Sequence, residues 1–259
     1  MVTFMLSKIL HPLNVAFLAD LDRISSERSI QEAMRWWLDE CRVDLKVTGA
    51  PLPESGPVII VGNHHGIFDL PALWAHTARE DVYFIGMRGA AKYGREIAAR
   101  LFPVYMSQKP SRYLFERIKN HTFYRIREGI GREEAVRRNR ENASRAAQRV
   151  AEGGCLILFP TAGTYVDTSM WKHGIGHLIA EIENPDLRIV FTHIKGSSRK
   201  DLLYLFNPYW FFLLRQRSRK MSVTIHDPIG IGEFRDHDTP PKEISARLRD
   251  RYLEIFGGL

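Results

Sequence analysis

Two histidines and an aspartate lie close together in the segment 63–69, which has the sequence Asn-His-His-Gly-Ile-Phe-Asp. A histidine can take a proton from a hydroxyl near neutral pH. A carboxylate on its other ring nitrogen fixes the tautomer and stabilises the imidazolium that forms. Such a pair can activate an alcohol for attack on a thioester. We therefore take one of the two histidines, His64 or His65, as the candidate general base and Asp69 as its orienting partner.

Two other interpretations fit the same residues. Asp69 precedes an apolar stretch and could cap a helix, while the histidines bond only to loop backbone. Alternatively, His64, His65 and Asp69 could ligate zinc. No second ligand cluster with helical His spacing accompanies them, and the two cysteines, Cys41 and Cys155, lie far apart. We expect no metal site and no disulfide framework, which fits a reducing compartment.

The segment 63–69 lies between a short apolar run and a helical stretch. Residues 58–61 (Val-Ile-Ile-Val) predict a strand buried on both faces, and residues 70–75 predict a crossover helix. The same order recurs downstream, with a helix over 139–152 and a second buried strand over 155–159. Strands that alternate with helices indicate an α/β fold with a mostly parallel central sheet flanked by helices. Ligands bind such sheets at the carboxyl ends of the strands, where the segment 63–69 is expected.

The chain is expected to have two parts. Residues 1–45 predict an N-terminal amphipathic helical segment, because Ile30, Met34 and Trp37 recur at roughly helical spacing. Residues 46–259 predict one α/β domain of ordinary size, which contains the candidate acyl-transfer residues of the segment 63–69. Its further elements are predicted as strands over 82–85, 188–193 and 222–226 and a final helix after Pro240 and Pro241.

Charge and hydropathy favour an anionic partner. The net charge is +7, and no apolar run approaches the ~20 residues that span a bilayer. Aromatic residues over 202–214 precede a basic cluster over 215–220, which suits contact with anionic lipid or, alternatively, a buried hairpin or helix with a solvated basic end. We expect a cytoplasmic protein, peripheral on the cytoplasmic face of the membrane. No nucleic-acid-binding motif accompanies the charge, so no nucleic-acid partner is expected.

Four blocks in a fixed order resemble the glycerolipid acyltransferase family, which includes lysophosphatidic acid and glycerol-phosphate acyltransferases. The segment 63–69 has the family's NHxxxxD form, and residues 159–164 (Phe-Pro-Thr-Ala-Gly-Thr) resemble its FPEGT loop. Residues 171–180 resemble the helix that follows that loop, and residues 223–229 resemble the last core strand. The resemblance spans roughly residues 46–256.

The resemblance implies a reaction and a set of site residues. His64 would be the base and Asp69 its partner, in O-acyl transfer from acyl-CoA or acyl carrier protein to a lysophospholipid or related lipid-like hydroxyl. The reaction would belong to phospholipid biosynthesis and would need no metal or organic cofactor. Arg127 is the best local match to the arginine of the second family motif, with Arg125 and Arg132 as alternatives. The implied substrate-binding residues are Asn63, Arg127, Thr161, Gly163, Thr164 and Lys172.

The chain departs from the family in its acceptor loop. Thr161 and Ala162 stand where the FPEGT glutamate is expected, and Tyr165 stands where an arginine usually follows. Both changes remove charge from the loop, so a phosphate on the acceptor would lose a charge-assisted hydrogen bond. The loop therefore does not identify the acceptor. Two alternatives also stay open. Together with His64, the sequence from His65 to Asp69 resembles the HHxxxD motif of chloramphenicol acetyltransferase and peptide-condensation domains, with His65 as base. The other alternative is an inactive membrane-surface binding protein of the same fold.

Overall fold

The computed structural model describes residues 16–105, 130–161, 171–198 and 218–257. The α-helices of these residues are α1 (residues 16–27), α2 (Ile30–Glu40), α3 (Asp69–Trp74), α4 (Arg95–Ala99), α5 (Arg132–Ala151), α6 (Gly174–Ala180) and α7 (Pro241–Phe256). The strands are β1 (Val43–Gly49), β2 (Val58–Gly62), β3 (Val82–Met87), β4 (Leu101–Val104), β5 (Cys155–Leu158), β6 (Arg188–Lys195), β7 (Arg219–Ile225) and β8 (Ile229–Gly230). None of the described helices combines the length and apolarity needed to cross a bilayer.

The strands form one mixed sheet in the order β1-β7-β6-β2-β5-β3-β4, with β8 paired to β6. Strands β2 to β6 are parallel, whereas β7 and β8 each run antiparallel to β6 and β1 is parallel to β7. The prediction of a mostly parallel central sheet flanked by helices is therefore confirmed. The carboxyl ends of β2, β5 and β6 meet at one edge of the sheet, and β7 begins at that same edge because it runs the opposite way.

Helices cover both faces of the sheet, which explains why β2 and β5 are buried along their whole length. One core contains Trp37, Phe68 and Trp74, from α2, the loop after β2 and α3. The opposite core contains Phe191 and Tyr252, from β6 and α7, together with residues of α5 and α6. Each large apolar side chain buried in this way stabilises the fold by about 1.5–3 kcal/mol.

The N-terminal helices belong to the first of these cores. Helix α2 begins after Ser29, whose hydroxyl accepts a hydrogen bond from the backbone N–H of Glu32. Its apolar stripe is buried: Ile30, Ala33, Met34, Trp37 and Leu38. The predicted amphipathic segment thus packs against α3 and β1, and its expected boundary at residue 45 falls within β1.

Two short elements, α4 and β4, were not predicted from the sequence. Strand β4 contains Pro103, which lacks a backbone N–H and is therefore tolerated in this strand at the edge of the sheet. Helix α5 also begins before the predicted residue 139. Its first turns carry few apolar residues and are stabilised instead by ion pairs of Glu134 with Arg137 and Arg138.

Candidate active site

The loop after β2 lies at the sheet edge where ligands bind in this class of fold. Strands β6 and β5 flank β2, so the loop is enclosed on both sides. Gly62 ends the strand, and a Cβ atom there would lie 2.8 Å from Thr192 Oγ1. A side chain at this position would displace the Thr192 hydroxyl and press on the Phe159 ring, so glycine lets both side chains pack against the end of β2.

His64 and Asp69 are joined in this loop by a direct hydrogen bond. The distance from His64 Nδ1 to Asp69 Oδ2 is 2.8 Å, and the Asp69 side chain is fully buried. A carboxylate only accepts hydrogen bonds, so we assign the proton of the neutral imidazole to Nδ1. The lone pair then lies on Nε2, which is the arrangement a general base requires.

The Asp69 carboxylate also organises the backbone of the loop. The same oxygen, Oδ2, accepts bonds from the N–H groups of His65 at 2.6 Å and Gly66 at 2.8 Å. Asp69 is the first residue of α3, and its side chain makes no capping bond to that helix, whose N-cap position is Phe68. The helix-capping interpretation is therefore wrong, because the carboxylate turns back towards the loop.

The His64 ring is held on one face and open to solvent on part of its surface. It stacks on Phe159 at a centroid distance of 4.6 Å and an interplanar angle of 18°. The side chain keeps 26% of its surface exposed. Phe159 follows β5, so two neighbouring parallel strands supply the base and the ring that supports it.

Asn63 ties the loop to β6. Its Nδ2 donates to the carbonyl oxygen of Ile194 at 2.7 Å, and its Oδ1 accepts from the N–H of Ile194 at 2.7 Å. The side chain is buried, and both ends of the amide are occupied in the manner of a strand pairing. In this arrangement Asn63 acts on His64 by fixing the loop, and its predicted contact with substrate stays a prediction.

Gly66 packs against the segment that follows β6. A Cβ atom at this position would lie 2.3 Å from Ser197 Oγ and 2.6 Å from the carbonyl oxygen of Ser198. Backbone cannot yield to such a contact, so the sequence requires glycine here. The loop is therefore packed against β6 and its extension at two points, Asn63 and Gly66.

The other predicted site residues are only partly described. Thr161 is buried just beyond β5, and the N–H of Lys172, an exposed residue, donates to the carbonyl oxygen of Pro160 at 3.1 Å. The two blocks that contain Thr161 and Lys172 are thus brought together beside β5. Arg132 is exposed at the start of α5. The predictions for Arg125, Arg127, Gly163 and Thr164, and the aromatic segment 202–214, lie outside the described residues.

His65, the rival base, is placed differently from His64. Its backbone N–H reaches Asp69, but the hydrogen bond of the carboxylate to an imidazole is made by His64. Within the described part of the chain, no three His, Cys, Asp or Glu side chains are grouped closely enough to hold a metal ion.

Two features of the site were missed by sequence reasoning. The stacking of Phe159 on His64 joins two of the recognised blocks, but neither block by itself reveals the contact. The bonds between Asn63 and Ile194 join residues 131 positions apart. One sequence carries no signal for a pairing of that separation; covariation among related sequences is the kind of signal that would reveal it.

Known proteins resemble this chain in sequence and in fold. A family model described as Acyltransferase matches residues 44–192, which is more than half of the chain. Among solved structures, the chain resembles the crystal structure of the 1-acyl-sn-glycerophosphate (LPA) acyltransferase PlsC from Thermotoga maritima. The TM-score is 0.51 at 14% identity, and the match covers 98% of this chain and 95% of the other. At that identity the similarity establishes a shared fold. No curated protein sequence matches significantly.

Proposed function

The chain belongs to the acyltransferase family, and from that premise we propose that it is an O-acyltransferase acting on a lysophospholipid or a related lipid-like hydroxyl. The donor would be acyl-CoA or an acyl carrier protein. The observation that carries the proposal is the hydrogen bond from His64 to the buried carboxylate of Asp69, in a loop at the ligand-binding edge of the sheet.

The proposed reaction uses the unprotonated Nε2 of His64. It takes the proton of the acceptor hydroxyl while the oxygen attacks the thioester carbonyl carbon, so that a C–O bond forms. The C–S bond then breaks, and the proton on His64 passes to the departing thiolate. The products are an ester and a free thiol, and Asp69 stabilises the imidazolium between the two proton transfers. General-base catalysis of this kind contributes about 10²–10⁴-fold to the rate.

The geometry supports His64 rather than His65 as the base. The carboxylate orients the ring of His64, and Phe159 stacks on that ring. His65 is bound to the same carboxylate through its backbone alone. The pair also argues against an inactive member of the fold, because a binding protein gains nothing from a buried carboxylate that orients an imidazole.

The test is thiol release from acyl-CoA with lysophospholipid, glycerol-phosphate and non-phosphorylated acceptors. We expect His64→Ala to lower kcat by about 10³-fold or more, while His65→Ala serves as the matched control and keeps most of the activity. Unchanged turnover in folded His64→Ala would refute the mechanism. Loss of turnover in His65→Ala alone would instead assign the base to His65.

A peripheral position on an anionic membrane is the second part of the proposal. Met87 and Val104, which are 45% and 41% exposed, are register partners at the carboxyl ends of β3 and β4. They lie at the same edge of the sheet as His64, and the exposed cations Arg88 and Lys92 follow Met87. Apolar side chains beside basic ones suit the headgroup region of anionic lipid.

This surface is tested by sedimentation with vesicles that contain phosphatidylglycerol. We expect the double variant Met87→Ser with Val104→Ser to bind more weakly than the wild type. Val136→Ser is the control, since Val136 is 42% exposed but lies on α5. Equal binding by the folded double variant would remove the Met87–Val104 pair from the interface.

A further inference from the structure

Strand β1 is the end strand of the sheet that the described residues form, and it pairs with β7. At its start, the carbonyl oxygen of Arg42 accepts a hydrogen bond from the N–H of Arg219 at 3.0 Å. Just beyond its end, the N–H of Ala50 donates to the carbonyl oxygen of Ile225 at 3.0 Å. Since the backbone groups of successive strand residues point to alternate sides, the even-numbered residues of β1 bond to β7. The residues whose N–H and C=O groups point away from β7 are therefore Val43, Leu45, Val47 and Gly49.

The side chains of β1 form one charged face and one apolar face. Asp44 and Lys46 are exposed on the charged face. On the apolar face, Leu45 and Val47 are only partly buried, and Leu45 lines an open groove together with Leu38 of α2. Charged residues on an end strand commonly prevent pairing with another strand. Here the two charges have opposite signs, so a strand that presents them in the reverse order would be attracted.

A second copy of β1 presents the reverse order when it lies antiparallel to the first, which is the arrangement that a twofold axis produces. With the axis at Leu45, Asp44 of each copy lies opposite Lys46 of the other. Val43 of each copy then lies opposite Val47 of the other, so the outward backbone groups also meet. An axis at Asp44 or Lys46 would instead place like charges opposite each other. The register centred on Leu45 therefore satisfies both the charges and the backbone.

The same register brings the charged side chains close together. The outward-pointing residues form the hydrogen-bonded pairs of an antiparallel ladder, and each such pair exchanges two backbone hydrogen bonds. Asp44 and Lys46 then form the non-hydrogen-bonded pairs, whose Cα atoms are about 4.5 Å apart and whose side chains are closest. On its other side Asp44 lies in register with Lys220 of β7. The carboxylate of each copy would thus lie between two lysines.

We propose that β1 is an interaction surface for a second copy of this chain, which pairs with it antiparallel about a twofold axis at Leu45. An extended segment of another protein would also gain backbone hydrogen bonds at β1. The opposite charges of Asp44 and Lys46, which match in the self-paired register, favour the second copy. The inference does not depend on the proposed acyl-transfer function, because β7 and β6 separate β1 from the strand that precedes His64.

The twist of the joined sheet turns the two catalytic loops towards the same side. The path from β2 of one copy to β2 of the other has seven strand-to-strand steps, through β6, β7 and β1 of each copy. At about 20–25° per step, the twist accumulates to about 140–175°. Antiparallel pairing reverses the second sheet, so its β2 points within about 40° of the direction of the first. Both loops that carry His64 would then open towards one membrane.

The test is sedimentation velocity of the full chain over a concentration series in the micromolar range. We expect a dimer that dissociates on dilution. Lys46→Glu replaces attraction by repulsion in both charge pairs and should raise the dimer Kd by about tenfold or more. Lys242→Glu makes the same change of charge at an exposed position of α7 and should leave the Kd unchanged. A wild type that stays monomeric, or a folded Lys46→Glu with the wild-type Kd, would overturn the proposal.

A mixing experiment tests the register. Asp44→Lys makes the charged face of β1 wholly basic, and Lys46→Asp makes it wholly acidic. Each variant should be monomeric by itself, whereas an equal mixture should form a heterodimer with a Kd close to that of the wild type. Thermal unfolding checks that both variants are folded, and their kcat should equal that of the wild type. A mixture of folded variants that stays monomeric while the wild type dimerises would refute pairing through β1.

Discussion

Replacing Asp69 by asparagine would remove the negative charge beside His64 and retain the acceptor bonds of the loop. All three bonds converge on one oxygen, Oδ2, from His64 Nδ1 and from the N–H groups of His65 and Gly66. An asparagine amide oxygen in that position accepts the same three hydrogens. The tautomer of His64 is then kept, and the change tests the charge by itself.

The size of the effect follows from the distance. Opposite unit charges 2.8 Å apart interact by about 6 kcal/mol at an effective dielectric constant of about 20. If about half of the imidazolium charge has formed in the transition state, about 3 kcal/mol is lost, or about 10²-fold in kcat. The new amide NH₂ would occupy the place of Oδ1, which has no hydrogen-bond partner among the described residues. A buried donor of this kind costs about 1–3 kcal/mol of stability.

The measurement is kcat from thiol release, with thermal unfolding to show that the variant is folded. Asp44→Asn, which removes an exposed carboxylate from β1, is the matched control and should behave like the wild type. A folded Asp69→Asn with at least one third of the wild-type kcat would refute the charge argument. A loss near 10⁴-fold would show that the tautomer had changed as well.

Three further outcomes follow from the packing. Gly66→Ala should lower both Tm and kcat, because the new Cβ would lie 2.3 Å from Ser197 Oγ. Gly174→Ala is the control: a Cβ atom there meets no neighbouring group within 4 Å, so Tm and kcat should hardly change. Arg79→Met should lower the free energy of unfolding by about 2–4 kcal/mol, as measured by urea titration. The reason is that the buried guanidinium donates hydrogen bonds to Asp81 and to two backbone carbonyls. The kcat of the folded variant should not change. Arg79 also holds the pKa of Asp81 below its usual range. The ion pair therefore adds to the free energy of unfolding at pH values above the ordinary pKa of a carboxyl group, and this stabilisation is lost as the pH falls. The difference in unfolding free energy between wild type and Arg79→Met should accordingly become smaller in acid. Cys41 and Cys155 are buried, and burial raises the pKa of Cys155 to about 12. Neither thiol should therefore react with a thiol reagent until the protein unfolds. Rapid labelling of the native protein would contradict this expectation.

The parts of the structure that could be predicted are those set by residues close together in the sequence. His64 and Asp69 lie in one short segment, and the apolar runs of β2 and β5 have the composition of strands covered on both faces. Strand β4 was missed because it is four residues long and contains Pro103. The start of α5 was missed because its first turns are stabilised by ion pairs, which give no hydrophobic periodicity.

The contacts that hold the catalytic loop were not predictable, because their partners come from distant strands. Asn63 bonds the backbone of Ile194, Gly66 packs against Ser198, and the guanidinium of Arg219 lies 5.0 Å from the centre of the Phe68 ring. These partners belong to β6, its extension and β7. The antiparallel course of β7 is what brings Arg219 to the carboxyl ends of β2 and β6. The segment 63–69 therefore supplies the chemical groups, whereas the orientation of His64 depends on the completed sheet and forms only with it.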